Sequence, residues 1–319
     1  MQSVGSPWLW IGFVAFVVAM LALDLGVFHR RAHVVRAKEA LVWTLVWVGL
    51  ALAFNAGIYF RFGPDRALEF LTGYLIEKAL SVDNLFVFLV LFAHFGVPAQ
   101  VQHRVLIWGI IGALVMRAAF ILAGGALLHS FHWLIYLFGA FLVLTGIKLL
   151  VHGDARPDPE RGPALRLFRR FVPSVQGYRG ASFAVREGGR WRATTLLAVL
   201  VVIEATDLMF ALDSIPAIFA ITGDPFIVFT SNIFAILGLR ALYFLIAGAL
   251  GRFRFLRVGL ALVLAFVGAK MLLSGTVEVP IAVSLGVISG LLAFSVGASL
   301  LLPGPPRMGE VPEQVGPES

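Results

Sequence analysis

The chain has 319 residues, of which 60% are hydrophobic and 13% are charged, and its mean hydropathy is +0.93, a composition that excludes an ordinary soluble domain. The net charge of +7 does not indicate nucleic acid as a partner, because the basic residues gather on one side of the predicted topology. The absence of cysteine excludes disulfides and thiolate metal ligands.

Nine apolar stretches of about 20 residues follow one another along the chain, and each is long enough to cross a bilayer. They cover residues 8–28, 40–61, 67–94, 104–127, 131–151, 194–222, 226–250, 255–274 and 280–301. The sequence therefore predicts an all-α fold, a polytopic membrane helix bundle that forms a single transmembrane domain over residues 1–301. Residues 302–319 are rich in proline and glycine, which predicts a disordered tail.

The connections between these helices differ in charge between the two sides of the membrane. Eighteen lysine and arginine residues lie on one side, nine of them between Arg156 and Arg192, whereas the other side has only Arg61 and Arg66. By the positive-inside rule the N-terminus is outside and the C-terminus is cytoplasmic. The cytoplasmic loop 152–192 leads into the segment SFAVREGGRWRAT, whose near-alternating residues around two glycines predict a β-hairpin.

Acidic residues cluster inside two of the predicted spans. The carboxylates and the polar residues beside them are Glu77, Asp83, Asn84, Glu204, Asp207, Asp213 and Ser214. A charged side chain at the bilayer centre costs about 3 kcal/mol, so it normally faces a protein interior or a wet cavity. Asp24, in the first span, is either a further ligand, an entrance residue, or the partner of Arg30 or Arg31. The clusters suggest a site for a positively charged substrate within the bilayer.

The two clusters belong to an internal repeat. The aligned pairs are Glu77 with Asp207, Asp83 with Asp213 and Asn84 with Ser214 at an offset of 130 residues, Arg117 with Arg240 at 123, and Lys148 with Lys270 at 122. The repeats are residues 67–151 and 193–274, with three helices each. Because three is odd, the copies are predicted to have opposite orientations, and such inverted repeats are typical of transporters with a substrate site at the repeat interface.

The two acids of each repeat are six residues apart, Glu77 with Asp83 and Asp207 with Asp213, and do not share one helix face. Six residues correspond to about 9 Å of rise and roughly 240° of rotation. Either the helix is interrupted between the two acids, for which Pro216 is an argument in the second repeat, or the acids serve separate parts of a cavity.

The available ligands are carboxylates, the amides of Asn84 and Asn232, hydroxyls and backbone carbonyls. Such an all-oxygen set suits hard cations such as Mg²⁺, Ca²⁺ or Mn²⁺ and not copper or zinc. The alternative is that the acids form ion pairs that hold the bundle together. The residues considered for ion pairing or gating are Asp24, Lys78, Arg117, Asn232 and Arg240, with Lys148 and Lys270 as further basic partners.

Three segments, EKALSVDNLFVF, the stretch that includes SNIFAILGLR, and LDLGVFHRRAH, closely resemble the TerC family of bacterial integral membrane proteins. The resemblance extends from about residue 8 to residue 301. It implies a place in the LysE-type transporter superfamily, a bacterial inner-membrane location and a role in Mn²⁺ export, with links to tellurium resistance and alkaline response. The acidic signature of the family falls on Glu77, Asp83, Asn84, Glu204, Asp207 and Asp213.

We therefore expect a transporter that moves Mn²⁺ out of the cytoplasm as its substrate, with no resident cofactor and with protons as a candidate coupling ion. Asp83 and Asp213 are expected to be the core ligands, completed by Asn84, Ser214 and backbone oxygen. The expected role of Glu77, Glu204 and Asp207 is to ligate the metal or carry coupling protons.

Three rival interpretations follow from the same residues. An intramembrane aspartyl protease would need two carboxylates sharing a proton and a GxGD-type signature, which is absent, so we expect no enzyme. A membrane scaffold could recruit partners through the arginine-rich loop 152–192. A transporter of Ca²⁺ or Mg²⁺ would have the same ligands, whereas a tellurium oxyanion would be repelled by the acidic site.

Overall fold

A computed structural model describes residues 3–28, 37–131, 133–151, 163–175, 177–187, 189–247, 255–277 and 279–302. The side chains of Asp24 and Asp83 and the predicted tail beyond residue 302 lie outside the described part, so the predictions made for them stay predictions. The secondary-structure elements are α1 (Pro7–Phe28), α2 (Ala37–Phe62), α3 (Pro64–His94), α4 (Ala99–Ser130), α5 (Leu134–Val151), α6 (Pro163–Phe171), β1 (Ala184–Glu187), β2 (Arg190–Ala193), α7 (Thr195–Phe219), α8 (Pro225–Ile236), α9 (Leu239–Ala247), α10 (Leu256–Leu272) and α11 (Ile281–Leu301).

The helices form a bundle whose outer surface is apolar. In the described part of the chain, six helical segments are long and apolar enough to cross a membrane: Lys38–Phe62, Ala99–Leu128, Leu134–Val151, Thr195–Phe219, Pro225–Leu245 and Ile281–Leu301. Large side chains such as Phe60 (85% exposed) and Phe294 (76% exposed) point outward, as they would towards lipid. The chain is therefore a multi-pass membrane protein, and the larger count of nine spans stays a prediction.

The seventh predicted span, residues 226–250, contains two helices in the described part of the chain, α8 and α9. The span breaks between α8 and α9 at Leu237 and Gly238. Gly238 has φ +85°, a left-handed conformation that favours glycine, and a Cβ atom there would lie 2.6 Å from the ring of Trp47. The break frees carbonyl groups at the end of α8, and Lys78 donates from Nζ to the carbonyl of Ala235 at 3.1 Å.

The helices that carry the acidic clusters are, by contrast, continuous. α3 extends over both Glu77 and Asp83, and α7 extends over Asp207 and Asp213 with Pro216 in its interior. The predicted alternative of an interrupted helix between the two acids is therefore wrong. The break lies instead on the neighbouring element, where apolar residues continue across Gly238 and give no signal in the hydropathy.

The packing of the helices places α3 and α7 at the centre. α3 packs against α7 and α8, α4 packs against α7, and α5 packs against α10. The last pair approaches closely, because a Cβ atom on Gly139 would lie 2.9 Å from the carbonyl oxygen of Gly268, and one on Gly146 would lie 2.7 Å from the carbonyl oxygen of Ala261. Small residues permit such backbone contact between membrane helices.

The long loop between α5 and α7 carries the predicted hairpin, which the structure confirms. β1 and β2 pair antiparallel, with Glu187 opposite Arg190. The segment before the hairpin is anchored to the bundle, since Tyr178 donates from its hydroxyl to the carbonyl of Phe95 at 2.7 Å. Burial raises the pKa of the Tyr178 phenol, so this donor keeps its proton.

Candidate functional site

Buried polar side chains line one face of α3 and one face of α7. On α3, Glu77, Ser81 and Asn84 are spaced by four and three residues, which puts them on the same side of the helix, and all three are buried. On α7, Asp207 and Ser214 are seven residues apart, which is two helical turns, and both are buried. The two helices pack against each other, so each contributes a carboxylate and a smaller polar group to the core.

The guanidinium group of Arg117, from the middle of α4, contacts both faces. Its Nη1 donates to Oε1 of Glu77 and, at 3.1 Å, to Oγ of Ser214. Its Nε lies 3.5 Å from Oδ2 of Asp207, an ionic contact that is not a hydrogen bond. Arg117 is only 1% exposed. A full positive charge is thus buried between two carboxylates that come from different helices.

α8 supplies a further member of the group. Asn232, which is fully buried, donates from Nδ2 to Oε2 of Glu77 at 3.0 Å, and Ser81 contacts Oε1 of the same carboxylate at 3.5 Å. We call these residues the Arg117 cluster: Glu77, Ser81, Arg117, Asp207, Ser214 and Asn232. Four helices, α3, α4, α7 and α8, meet in this cluster.

The Arg117 cluster and the nearby Glu204 have more oxygen acceptors than the described residues satisfy. Oδ2 of Asp207, Oδ1 of Asn232 and Oε2 of Glu204 are buried and have no hydrogen-bond partner in the described part of the chain. Leaving such a group unpaired costs about 1–3 kcal/mol, and more for a charged group. These three oxygen atoms, from two carboxylates and one amide, are the kind of ligand that hard cations prefer. A proton on a carboxylate would also satisfy it.

Glu204 lies about one turn before Asp207 on α7 and packs against α4. Its carboxylate sits directly over Gly112, where no Cβ atom would fit without displacing it. The glycines at 109 and 112 share a face of α4 that meets α7, and a Cβ atom on Gly109 would make only ordinary contact with Ile203. The missing side chain at Gly112 is therefore what gives the Glu204 carboxylate its place.

Asp213 is directed away from the Arg117 cluster. Its carboxylate accepts a hydrogen bond of 3.3 Å from the hydroxyl of Thr145 on α5. This separation follows from the rotation of about 240° between Asp207 and Asp213 on a continuous helix. The structure thus agrees with the second sequence alternative, in which the two acids of a repeat serve different places.

The structure does not bring all predicted site residues together. In the part of the chain that it describes, no group of three or more histidine, aspartate or glutamate residues is close enough to hold a metal ion. Lys78 contacts the carbonyl of Ala235 at the end of α8, and Arg240 is buried in the first turn of α9. The assignment of Asp83 and Asp213 as core ligands stays a prediction.

Sequence reasoning missed two residues at the site, Thr145 and Gly112. A threonine in an apolar helix is ordinary, and nothing in the local sequence links Thr145 to Asp213, which lies 68 residues away. The two glycines in α4 were an available signal, because small residues are enriched where membrane helices approach each other closely.

Comparison with known proteins gives one family. The model of the "Integral membrane protein TerC family" matches residues 62–304. A protein of Myxococcus xanthus described as an uncharacterized membrane protein is 59% identical over 299 residues, which is 94% of each chain. The "Putative membrane-bound redox modulator Alx" of Escherichia coli (strain K12) is 48% identical over 305 residues, covering 92% of this chain and 95% of that protein. No solved structure matches the chain.

Proposed function

Because the chain belongs to the TerC family, we propose that it is a membrane transporter of a hard divalent cation and that its substrate is Mn²⁺, exported from the cytoplasm across the bacterial inner membrane. One observation carries this proposal: Glu77 and Asp207 approach the same buried guanidinium from two different helices, beside acceptor oxygens that lack donors. Intramembrane carboxylates of this kind usually mark a path for ions or protons.

The chemistry of the donor groups supports a hard cation. Around the cluster, the described side chains offer carboxylate, amide and hydroxyl oxygen, as Mn²⁺, Mg²⁺ and Ca²⁺ prefer. The choice of Mn²⁺ among these ions rests on the family resemblance and not on the donor atoms. Glu204, close to Asp207 on the same helix, is proposed to carry the coupling proton, and the proposal assigns no catalytic step to the site.

An inverted repeat gives this site a way to open to either side. In a two-fold relation between residues 67–151 and 193–274, α3 would correspond to α7 and α4 to α8. The packing of α3 against α8 would then have its counterpart in the packing of α7 against α4, and both contacts are present. The close contacts of α5 with α10 are centred between residues 139 and 146 and between 261 and 268. These centres are 122 residues apart, the offset that aligns Lys148 with Lys270. Alternating access would then come from one repeat rocking against the other.

In this proposal Asp83 and Asp213 bind the cation at another stage of its passage. They occupy equivalent repeat positions, and the carboxylate of Asp213 accepts from Thr145 on α5, away from the Arg117 cluster. The cation would pass from the first pair to the second as the repeats move. The N-terminus is proposed to lie outside and the C-terminus in the cytoplasm.

The name of the Escherichia coli relative refers to redox modulation. This chain has no cysteine, so any effect of this chain on redox state would have to act without a thiol of its own. Export of a redox-active metal would be one such route, because the concentration of cytoplasmic Mn²⁺ affects redox chemistry without a reaction on the protein.

The test is Mn²⁺ flux in proteoliposomes, with a pH-sensitive dye inside and with Ca²⁺ and Mg²⁺ as competitors. The site variant is Asp207→Asn, and the matched control is Asp65→Asn, which changes an exposed acid at the start of α3. Saturable Mn²⁺ flux that is lost in the first variant and kept in the second would support the proposal. Folded wild-type protein that gives no flux above empty liposomes would contradict it and favour the scaffold.

A further inference from the structure

We infer that Arg117 is a built-in counter-cation of the acidic site: its guanidinium neutralises Glu77 and Asp207 when no substrate is bound, and the divalent cation must displace it. This inference rests on the proposed function and adds to it a competitor that is part of the chain. It assigns Arg117 a role in setting cation affinity and in the return of the empty carrier, beyond holding helices together.

The contacts of Arg117 coincide with proposed substrate ligands. Its guanidinium contacts Glu77, Asp207 and Ser214, three residues that the repeat pattern and the all-oxygen chemistry select as cation ligands. Glu77 and Asp207 are also repeat-equivalent, so one side chain spans the pseudo-symmetric pair. A divalent cation bound by both carboxylates would need the space that the guanidinium now takes.

The charges explain why such a group is needed. Two buried carboxylates without a cation would repel each other and would be poorly solvated, so an empty site in the membrane interior would be costly. Arg117 reduces this cost because it remains charged at all relevant pH values. A substrate-free transporter with Arg117 in place can therefore change conformation without exposing an unpaired carboxylate pair.

The guanidinium of Arg117 binds the two carboxylates unequally, which makes its displacement by a cation easier. Nη1 makes the hydrogen bonds to Glu77 and Ser214. Nε has no hydrogen-bond partner among the residues that the structure describes, and its contact with Asp207 is ionic. This differs from the bidentate fork in which arginine binds carboxylates most strongly. The unpaired oxygens of Asp207 and Asn232 beside it are places where an arriving cation can begin to bind before the guanidinium leaves.

Competition of this kind has a measurable consequence. If the empty site is held by Arg117, the apparent affinity for the cation is reduced by the free energy of displacing it. Removing the positive charge should tighten Mn²⁺ binding while impairing the return of the empty carrier. A purely structural ion pair predicts the opposite for binding, because a disordered site would bind the cation more weakly.

The experiment compares wild type with Arg117→Gln and Arg117→Lys, using Lys270→Gln as the matched control. Lys270 is a partly buried basic residue of α10 whose Nζ donates to the hydroxyl of Ser284 at 3.0 Å. Mn²⁺ affinity is measured by calorimetry on monodisperse protein in detergent. Net Mn²⁺ flux and exchange of labelled for unlabelled Mn²⁺ are measured separately in proteoliposomes, since exchange does not require the empty carrier to return.

Arg117→Gln should bind Mn²⁺ about tenfold more tightly, keep exchange and lose net flux. Arg117→Lys, with a smaller charged head that makes fewer contacts, should bind Mn²⁺ more tightly than wild type and keep part of the net flux. It replaces Arg117→Gln in the comparison if that variant does not fold. Unchanged or weaker binding in the folded variants, or loss of exchange together with net flux, would overturn the inference. Wild-type protein without Mn²⁺ binding or flux would instead refute the proposed function itself.

Discussion

Glu77 of α3 and Asp207 of α7 contact the same guanidinium group, that of Arg117. The two acids are 130 residues apart in the chain and occupy equivalent positions of the repeat. Seven residues after each lies a small polar residue on the same helix face, Asn84 after Glu77 and Ser214 after Asp207. Two similar helices thus supply matching halves of one buried polar centre, and α4 supplies the charge between them.

Removal of one carboxylate should destabilise the bundle. In Glu77→Gln, Arg117 loses its charged partner on α3 and keeps the hydrogen bond to Ser214 and the ionic contact to Asp207. Breaking a buried ion pair typically costs about 3–5 kcal/mol. The variant should therefore unfold at a clearly lower temperature in detergent. Glu187→Gln is the control, because its pair with Arg192 is about half exposed and should contribute little. Equal unfolding midpoints for the two variants would show that Arg117 is not held by Glu77.

Gly112 should matter for transport more than for stability. In Gly112→Ala the new methyl group takes the place of the Glu204 carboxylate, which is the end of a flexible side chain and can move aside. Alanine also favours the helix by up to about 1 kcal/mol over glycine, so the unfolding midpoint should hardly fall. Mn²⁺ flux and the accompanying pH change should decrease several-fold.

Gly109→Ala is the matched control for this prediction. It adds the same methyl group to the same face of α4, at an ordinary contact distance of 3.4 Å from Ile203. Its flux should equal that of wild type. If both alanine variants transported Mn²⁺ normally, the position of the Glu204 carboxylate would be irrelevant to the function.

The sequence contains enough periodicity to predict the two faces of the site. Glu77 with Asn84, and Asp207 with Ser214, follow from a spacing of seven on a continuous helix, and the same geometry turns Asp213 away. The sequence pattern does not indicate which basic residue pairs with each acid. Arg117 is 40 residues from Glu77, and several basic residues in the spans were equally available by composition.

The fold was predicted best where hydropathy alone decides it. Each predicted apolar stretch contains at least one helix in the described part of the chain, and the hairpin around Gly189 follows from its glycines and alternating flanks. The break at Gly238 was missed because it depends on Trp47 from α2 and on Lys78 from α3, which are distant in the chain. Such long-range contacts leave no local pattern.

Thr145 should influence Asp213 and not the Arg117 cluster. Thr145→Val keeps the shape of the side chain but removes the hydroxyl that donates to Asp213, leaving a carboxylate without this donor. If Asp213 binds the cation, the apparent affinity for Mn²⁺ in flux assays should change several-fold, and Thr145→Ser should restore it. Thr44→Val is the control, since that hydroxyl donates to the carbonyl of Ala40 in its own helix and not to an acidic side chain of the described residues.

Replacing Gly238, which lies at the break between α8 and α9, should strongly destabilise the bundle. Gly238→Ala forces a side chain into left-handed backbone at φ +85°, which costs about 1–2 kcal/mol, and its Cβ overlaps the buried Trp47, which adds about 1–3 kcal/mol. The expected result is a markedly lower unfolding midpoint and loss of Mn²⁺ flux, because the break in this span positions both Asn232 and the carbonyl bound by Lys78. Gly96→Ala estimates the backbone contribution: Gly96 has φ +61° but no atom within 4 Å of the added Cβ, so its midpoint should fall by less. Equal losses in the two variants would mean that the contact with Trp47 does not stabilise the break.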